Sequence, residues 1–179
     1  MTSAAHSPSE PAMSSVTLRT ITLLGATITT GLATGAFAVY AHTVMPGLGR
    51  TDDRTFVGAY QAMDRAIINP WFMAGGFVGA LVFTAGAAVA NRHQPAMEWI
   101  VAALVLYLIA CVVTAAVNVP LNDALKAAGD PDRLVDLAGV RHQFHEARWA
   151  AWNLVRTVVS LGAFGCLAWA LVLHGRATA

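Results

Sequence analysis

The sequence predicts an all-α fold: an antiparallel four-helix transmembrane bundle with two amphipathic loop helices on one membrane face. Of the 179 residues, 56% are hydrophobic and 12% are charged, against roughly a quarter charged in a soluble domain. Four apolar runs are each long enough for a helix rising about 1.5 Å per residue to cross a hydrocarbon layer of about 30 Å. They cover about residues 18–44, 71–90, 97–119 and 149–173. The segments that connect the runs differ in length, and these lengths determine which helix ends lie at the same face of the membrane.

The first 15 residues are expected to form a disordered tail before a single membrane domain of residues 16–175. This tail is rich in Ser, Ala and Pro and has no hydrophobic periodicity. The first span follows. Ala36 to Ala38 resembles a signal-peptide cleavage site, but the apolar run continues to Val44, so we expect a retained span.

An amphipathic helix is predicted between the first and second spans. Its apolar residues recur at helical spacing after three residues that can cap a helix. Such a helix should lie along the bundle mouth or the membrane surface. The apolar positions are Phe56, Tyr60, Met63 and Ile67, and the capping positions are Thr51, Asp52 and Asp53.

The later connections differ in length. Asn69 and Pro70 are typical of a cap before the second span, and the polar turn 91–96 forces the second and third spans to be antiparallel. Asn118 and Asn122 flank Pro120, which predicts a cap and kink at the end of the third span.

A second loop helix is predicted before the fourth span. Gly129 and the Asp130-Pro131 pair mark a helix stop and restart, with Leu134 and Leu137 on the apolar face of the helix that follows.

Two connections are long: the one between the first and second spans and the one between the third and fourth. Polar side chains are predicted to lie at the end of the bundle where both of these long loops are. The long loops also carry most of the Lys and Arg, so the positive-inside rule predicts that this face of a multi-pass protein is cytoplasmic, in a membrane of the bacterial cytoplasmic type. These side chains are Tyr40, His42, Asn69, Asn118, Asn122 and the stretch His142 to Arg156.

The start of the fourth span carries a polar and aromatic stripe. At about 100° per residue, positions 142, 145, 149, 152, 153 and 156 share one helix face, which must meet other helices, a cavity or the headgroup layer. Arg156 beside Asn153 can stabilise an anionic oxygen, or Arg156 can extend to the headgroups. Trp149 and Trp152 fit either a pocket wall for a flat aromatic ligand or an interfacial belt.

Three roles are possible for the histidines. His142 or His145 can act as a general base near neutral pH. Together with His42 they can instead form a metal site, or all three can be surface histidines without a special role. The net charge of +1 and the absence of a Lys/Arg run argue against nucleic acid as a partner. Cys111 and Cys166 are interpreted as core residues.

Four short blocks resemble the DUF1772 family of small four-helix membrane proteins, which includes the anthrone oxygenases. The resemblance extends over about residues 16–175, and the third and fourth blocks are its most specific parts. The blocks are Met45-Pro46-Gly47-Leu48, Ile68-Asn69-Pro70, Asn118-Val119-Pro120-Leu121-Asn122 and Trp149-Ala150-Ala151-Trp152-Asn153-Leu154-Val155-Arg156-Thr157.

The resemblance implies an oxygenase that needs no organic cofactor or metal and converts an anthrone to an anthraquinone with O2. Its partners would be a hydrophobic aromatic small molecule and the lipid bilayer. Such chemistry requires a base, an oxyanion stabiliser and a dry aromatic slot. The candidates are His145 or His142 as base, Arg156 with Asn153 as stabiliser, and Trp149, Trp152 and Tyr40 as the slot, with His42, Asn69, Asn118 and Asn122 as further substrate contacts.

Two other functions remain open from the sequence. One is a non-catalytic membrane protein that binds or carries a hydrophobic small molecule or supports a partner complex. The other is a metal or haem protein that uses His42, His142 and His145.

Overall fold

The fold is all-helical over residues 10–178, the part of the chain that the computed structural model describes. Four helical stretches are long and apolar enough to cross a membrane: Ser15–Leu48, Pro70–Ala90, Met97–Ala127 and Leu137–Thr178. These stretches indicate an integral membrane protein and confirm the predicted four-helix bundle.

Three of the four spans contain a π-helical turn. The first span consists of α1 (Glu10–Val39), a π turn (Tyr40–Val44) and α2 (Met45–Leu48), and the loop helix α3 (Asp53–Ile67) follows. The second consists of α4 (Pro70–Phe72), a π turn (Met73–Phe77) and α5 (Val78–Ala90). The third consists of α6 (Met97–Val113), a π turn (Thr114–Asn118) and α7 (Val119–Ala127), and then come α8 (Leu137–Gln143) and the long α9 (Glu146–Thr178).

The bundle is held by close packing of small residues. Helix α1 packs on α5 and α9, α9 also packs on α6, and α5 and α6 meet less extensively. Buried hydroxyls such as those of Thr84 and Ser160 donate to carbonyls of their own helix, so they need no partner across the interface. The fully buried core residues include Leu23, Ala26, Ala33, Ala80, Ala103, Tyr107, Ala163 and Leu167.

A cap formed by α2, α3, α7 and α8 covers the end of the bundle where the long loops lie. The cap has its own apolar core, which comprises Met45, Phe56, Val57, Tyr60, Leu125, Phe144 and Trp149. The N-cap of α3 is Asp52, whose carboxylate accepts a hydrogen bond from the backbone N–H of Thr55, as the sequence predicts.

Two polar side chains, the partly buried Arg141 and the buried Gln61, hold the cap together. Arg141 donates to the carbonyls of Gly49 and Thr51 and forms ion pairs with Asp53 and Glu146. These contacts join the two long loops.

Gln61 fastens the other side of the cap. Its amide donates to the carbonyls of Leu125 and Gly129, near the end of α7. Both carbonyls would otherwise lack a helical partner.

Two helix boundaries differ from the sequence predictions. Helix α1 begins at Glu10, so residues 10–15 of the expected tail are helical, and Pro11 lies in the first turn, where its missing N–H breaks no bond. The rest of that tail, residues 1–9, lies outside the described residues. The third span does not end near Asn118 but continues through Pro120, because the preceding π turn rearranges the backbone bonds that a proline would interrupt.

The second loop helix is shorter than predicted. It begins at Leu137, with Asp136 as N-cap, so Leu134 lies before it. It ends at Gln143, and α9 starts only at Glu146, because His145 adopts a left-handed backbone conformation with φ of 52°. The predicted stripe from position 142 to position 156 is therefore broken at His145.

Candidate functional site

A cavity of about 220 Å³ lies beneath the cap, between the ends of the spans. Most of the residues that line it are apolar and six of them are aromatic, which suits a flat apolar ligand. The aromatic residues are Phe37, Tyr40, Tyr60, Phe72, Phe77 and Trp149. The polar residues are Asp64, Thr114, Asn122, Asp123, Lys126 and Arg156.

The three π turns position part of this wall. Each turn contributes to the lining: Tyr40 from the first, Met73 and Phe77 from the second, and Thr114 from the third. A π turn holds one residue more than an α-helical turn and often occurs at functional sites. All three widen the helices at the same end of the bundle.

Arg156 is a buried cation, and no described carboxylate pairs with it. Its Nε donates to Asn153 Oδ1 at 2.9 Å and its Nη1 to Thr114 Oγ1 at 3.3 Å. The guanidinium carbon lies 4.4 Å from the centre of the Phe37 ring and 5.3 Å from that of Trp149. Among residues 15–178, whose side chains the structure describes, no Asp or Glu lies within ion-pair distance of it. Aromatic faces and neutral dipoles stabilise this charge only partly, which leaves it able to bind an anion.

Asn153 holds Arg156 in place. It is fully buried, and its amide nitrogen donates to the carbonyl of Phe37 at 3.1 Å, while its oxygen accepts from Arg156. The amide therefore links α9 to the end of α1 and fixes the guanidinium against both.

A second polar group surrounds Asn122. The Asn122 oxygen accepts from the Tyr60 hydroxyl at 2.8 Å and from Trp149 Nε1 at 2.7 Å. Its amide nitrogen donates to Asp64 Oδ1 at 2.7 Å, and Lys126 Nζ lies 2.8 Å from Asp64 Oδ2. Burial, reinforced by the Asp64 charge, raises the pKa of Tyr60. Tyr60 therefore stays protonated and remains a donor.

Four of the residues predicted from sequence line the cavity. They are Tyr40, Asn122, Trp149 and Arg156, and Asn153 supports Arg156 from behind.

Two predicted asparagines have structural contacts outside the lining. Asn118 is buried and donates to the carbonyl of Trp149 at 3.3 Å. Asn69 is the N-cap of α4, where its oxygen accepts from the backbone N–H of Phe72 at 2.9 Å.

The remaining candidates lie outside the cavity. Trp152 is 39% exposed, on a different face of α9 from Trp149. His42 is exposed and bonds to the Thr43 hydroxyl. His142 and His145 are exposed beside an open surface groove, because the helix break at His145 turns them away from the buried face of α9.

The histidines do not form a ligand set with other residues. Over residues 15–178, the range of described side chains, no three His, Cys, Asp or Glu side chains are close enough together to hold a metal ion.

The sequence prediction missed Asp64 and Lys126 as site residues. Asp64 lies four residues after Tyr60 and eight after Phe56, so it places a carboxylate on the apolar face of a helix already recognised as amphipathic. Lys126 follows Asn122 by four residues on α7. A charge on an apolar face was the signal that could have identified Asp64.

The family comparison adds an independent finding. The family model described as anthrone oxygenase matches residues 67–166, which include the second and third spans and the start of α9. No curated protein matches the chain, and no solved structure does. Because the match covers more than half of the sequence, the chain belongs to the anthrone oxygenase family.

Proposed function

We propose that this protein is a membrane-embedded oxygenase that uses O2 to oxidise a lipophilic, anthrone-like aromatic substrate, without an organic cofactor or a metal. Family membership supports an oxygenase-type function. The aromatic cavity supports the substrate class, because a tricyclic aromatic offers flat faces to the rings of Phe37, Tyr40 and Trp149.

The proposed reaction begins with loss of a proton from the methylene group of the substrate. The electrons of that C–H bond delocalise onto the oxygen of the ketone across the ring, giving an electron-rich enolate. The enolate reacts with O2 and forms a peroxide at the former methylene carbon. Loss of the second methylene proton with cleavage of the O–O bond then gives the new carbonyl and releases water.

The single observation that carries this proposal is the environment of Arg156. Arg156 is 7% exposed, its guanidinium lacks a carboxylate partner within the described residues, and the residue lines a cavity with six aromatic side chains. A cation fixed in this way stabilises an enolate oxygen more than the neutral ketone it forms from, and such differential stabilisation lowers the barrier. Asn153 holds the guanidinium, so little reorganisation is needed as the charge develops.

An oxygen electrode tests the proposal. The purified protein in detergent or nanodiscs is mixed with emodin anthrone, and the spontaneous rate of O2 consumption is subtracted. We expect protein-dependent O2 uptake with one quinone formed per O2 consumed. Tight binding of the anthrone without O2 uptake above the spontaneous rate would contradict the oxygenase and favour a carrier.

A further inference from the structure

The proposed oxidation needs a base near the methylene group of the substrate, and we infer that Asp64 is that base, with Lys126 and Asn122 as its positioning residues. This inference rests on the proposed function. Asp64 lines the cavity from α3, and its side chain is 8% exposed. It lines the same cavity as Arg156, so one site holds both a proton acceptor and a cation for the resulting anion.

Two contacts orient the carboxylate of Asp64. Lys126 Nζ approaches one carboxylate oxygen at 2.8 Å, and the Asn122 amide donates to the other at 2.7 Å. A carboxylate has about four lone-pair sites, so two contacts leave it able to accept a proton. Lys126 and Asn122 lie on successive turns of α7 and hold the carboxylate from one side.

Other candidate bases fit less well. Tyr40 and Tyr60 are phenols, a class of group that is neutral near pH 7, and the Tyr60 hydroxyl already donates to Asn122. Asp123 is 61% exposed. His142 and His145 lie outside the cavity. Among the ionisable groups that line the cavity, Asp64 is thus the buried anion.

The proton balance closes on Asp64. The carboxylate takes one methylene proton, and the C–H electron pair becomes the enolate. The enolate transfers electrons to O2 and a C–O bond forms, after which the peroxide takes the proton back from the carboxylic acid. Asp64 then removes the second methylene proton as the O–O bond breaks, and that proton joins the departing hydroxide as water.

The first half of this cycle can be measured without O2. Under anaerobic conditions in D2O, the wild-type protein should catalyse exchange of the methylene protons of emodin anthrone for deuterium, followed by mass spectrometry. We expect Asp64→Asn to slow the catalysed exchange by about a hundredfold or more, the size of a general-base contribution. Asp64→Glu should restore part of the rate, since it restores the carboxylate.

The matched control is Asp132→Asn. Asp132 also pairs with a cation of the other long loop, Arg54, but its side chain is 80% exposed and lies outside the cavity lining. Its variant should exchange at the wild-type rate. Circular dichroism and thermal melting of each variant separate loss of the base from loss of the fold, and Asp64→Glu provides the second test if Asp64→Asn is unstable.

The outcomes distinguish the two proposals. If Asp64→Asn exchanges the methylene protons at the wild-type rate, Asp64 is not the base, and the oxygenase proposal still stands. Loss of exchange in Asp123→Asn alone would also show that Asp64 is not the base. If the wild-type protein shows neither exchange nor O2 uptake, the proposed function itself fails.

Discussion

At the scale of single residues, Arg156 is the unusual feature of this protein. A buried guanidinium normally has a carboxylate partner, because desolvating an unpaired charge costs several kcal/mol. Arg156 has instead an amide, a hydroxyl and two aromatic faces. A residue kept in this state at a cost to stability is expected to have a functional reason.

Replacing Arg156 by methionine should separate stability from activity. We expect Arg156→Met to lower O2 uptake by about 10²- to 10³-fold, the usual effect of removing an oxyanion-stabilising donor. Its melting temperature should stay the same or rise, since methionine fills the space without burying a charge. Arg54→Met, which removes an exposed cation, serves as control. Undiminished uptake by Arg156→Met would contradict the assigned role.

Asn153 should matter for both stability and turnover. Asn153→Ala removes the acceptor of Arg156 Nε and the donor to the Phe37 carbonyl, so we expect a loss of about 1–3 kcal/mol of unfolding free energy and a lower turnover rate.

Asn69→Ala is the control for this substitution. This substitution removes the N-cap side chain of α4, which costs about 0.5–2 kcal/mol of unfolding free energy, but the side chain of Asn69 lies outside the cavity lining. Denaturation and O2 uptake should therefore show a stability loss in both variants and a turnover loss in Asn153→Ala alone. Equal turnover in the two would argue against a positioning role for Asn153.

At the scale of elements, the π turns shape the cavity. Each inserts one extra residue into a span, and each contributes side chains to the lining. Deleting the exposed Ala115 from the third turn should restore a regular α-helix and displace Thr114, the partner of Arg156.

We expect this deletion variant to retain its helix content by circular dichroism and to lose most of its O2 uptake. Full uptake would show that the π turn is not required for the site.

The junction of α8 and α9 gives a test of His145. Its φ of 52° is a left-handed conformation that costs a residue with a side chain about 1–2 kcal/mol. We expect His145→Gly to be at least as stable as the wild type, since glycine relieves this cost, and to keep its turnover rate. A drop of more than tenfold in O2 uptake would instead support His145 as the base.

The same elements show what the sequence could predict. The bundle could be predicted from the four apolar runs, and one wall of the cap from the amphipathic face of α3. Both predictions were possible because a periodic pattern shows which helix face is buried. The π turns have no periodic signature, so they could not be predicted. The break at His145 was missed because histidine, unlike glycine or proline, does not mark a break. The stripe through positions 142 and 145 was therefore extended one turn too far.

The same limit applied to individual site residues. Arg156 and Asn153 were recognised because polar side chains inside an apolar run are costly. Lys126 was missed because an isolated cation near a helix end is common, and its relation to Asp64 depends on how α3 packs on α7.

At the scale of the whole molecule, the bundle and the cap have separate cores, and residues from both the spans and the cap line the cavity. The spans supply Arg156 and the other aromatic residues of the lining, and the cap supplies Asp64 and Tyr60. The convergence of polar residues on the long-loop face was predicted from sequence, and the structure confirms it for the residues that line the cavity. The cytoplasmic placement of that face stays a prediction.

The most direct test of the oxygenase is a single-turnover reaction under ¹⁸O2. Wild-type protein in molar excess is mixed with emodin anthrone, and the quinone is analysed by mass spectrometry at successive times. We expect quinone with one ¹⁸O atom to form much faster than without protein, and Arg156→Met to remove most of this acceleration. Labelled quinone that forms at the spontaneous rate in the presence of folded wild-type protein would contradict the account.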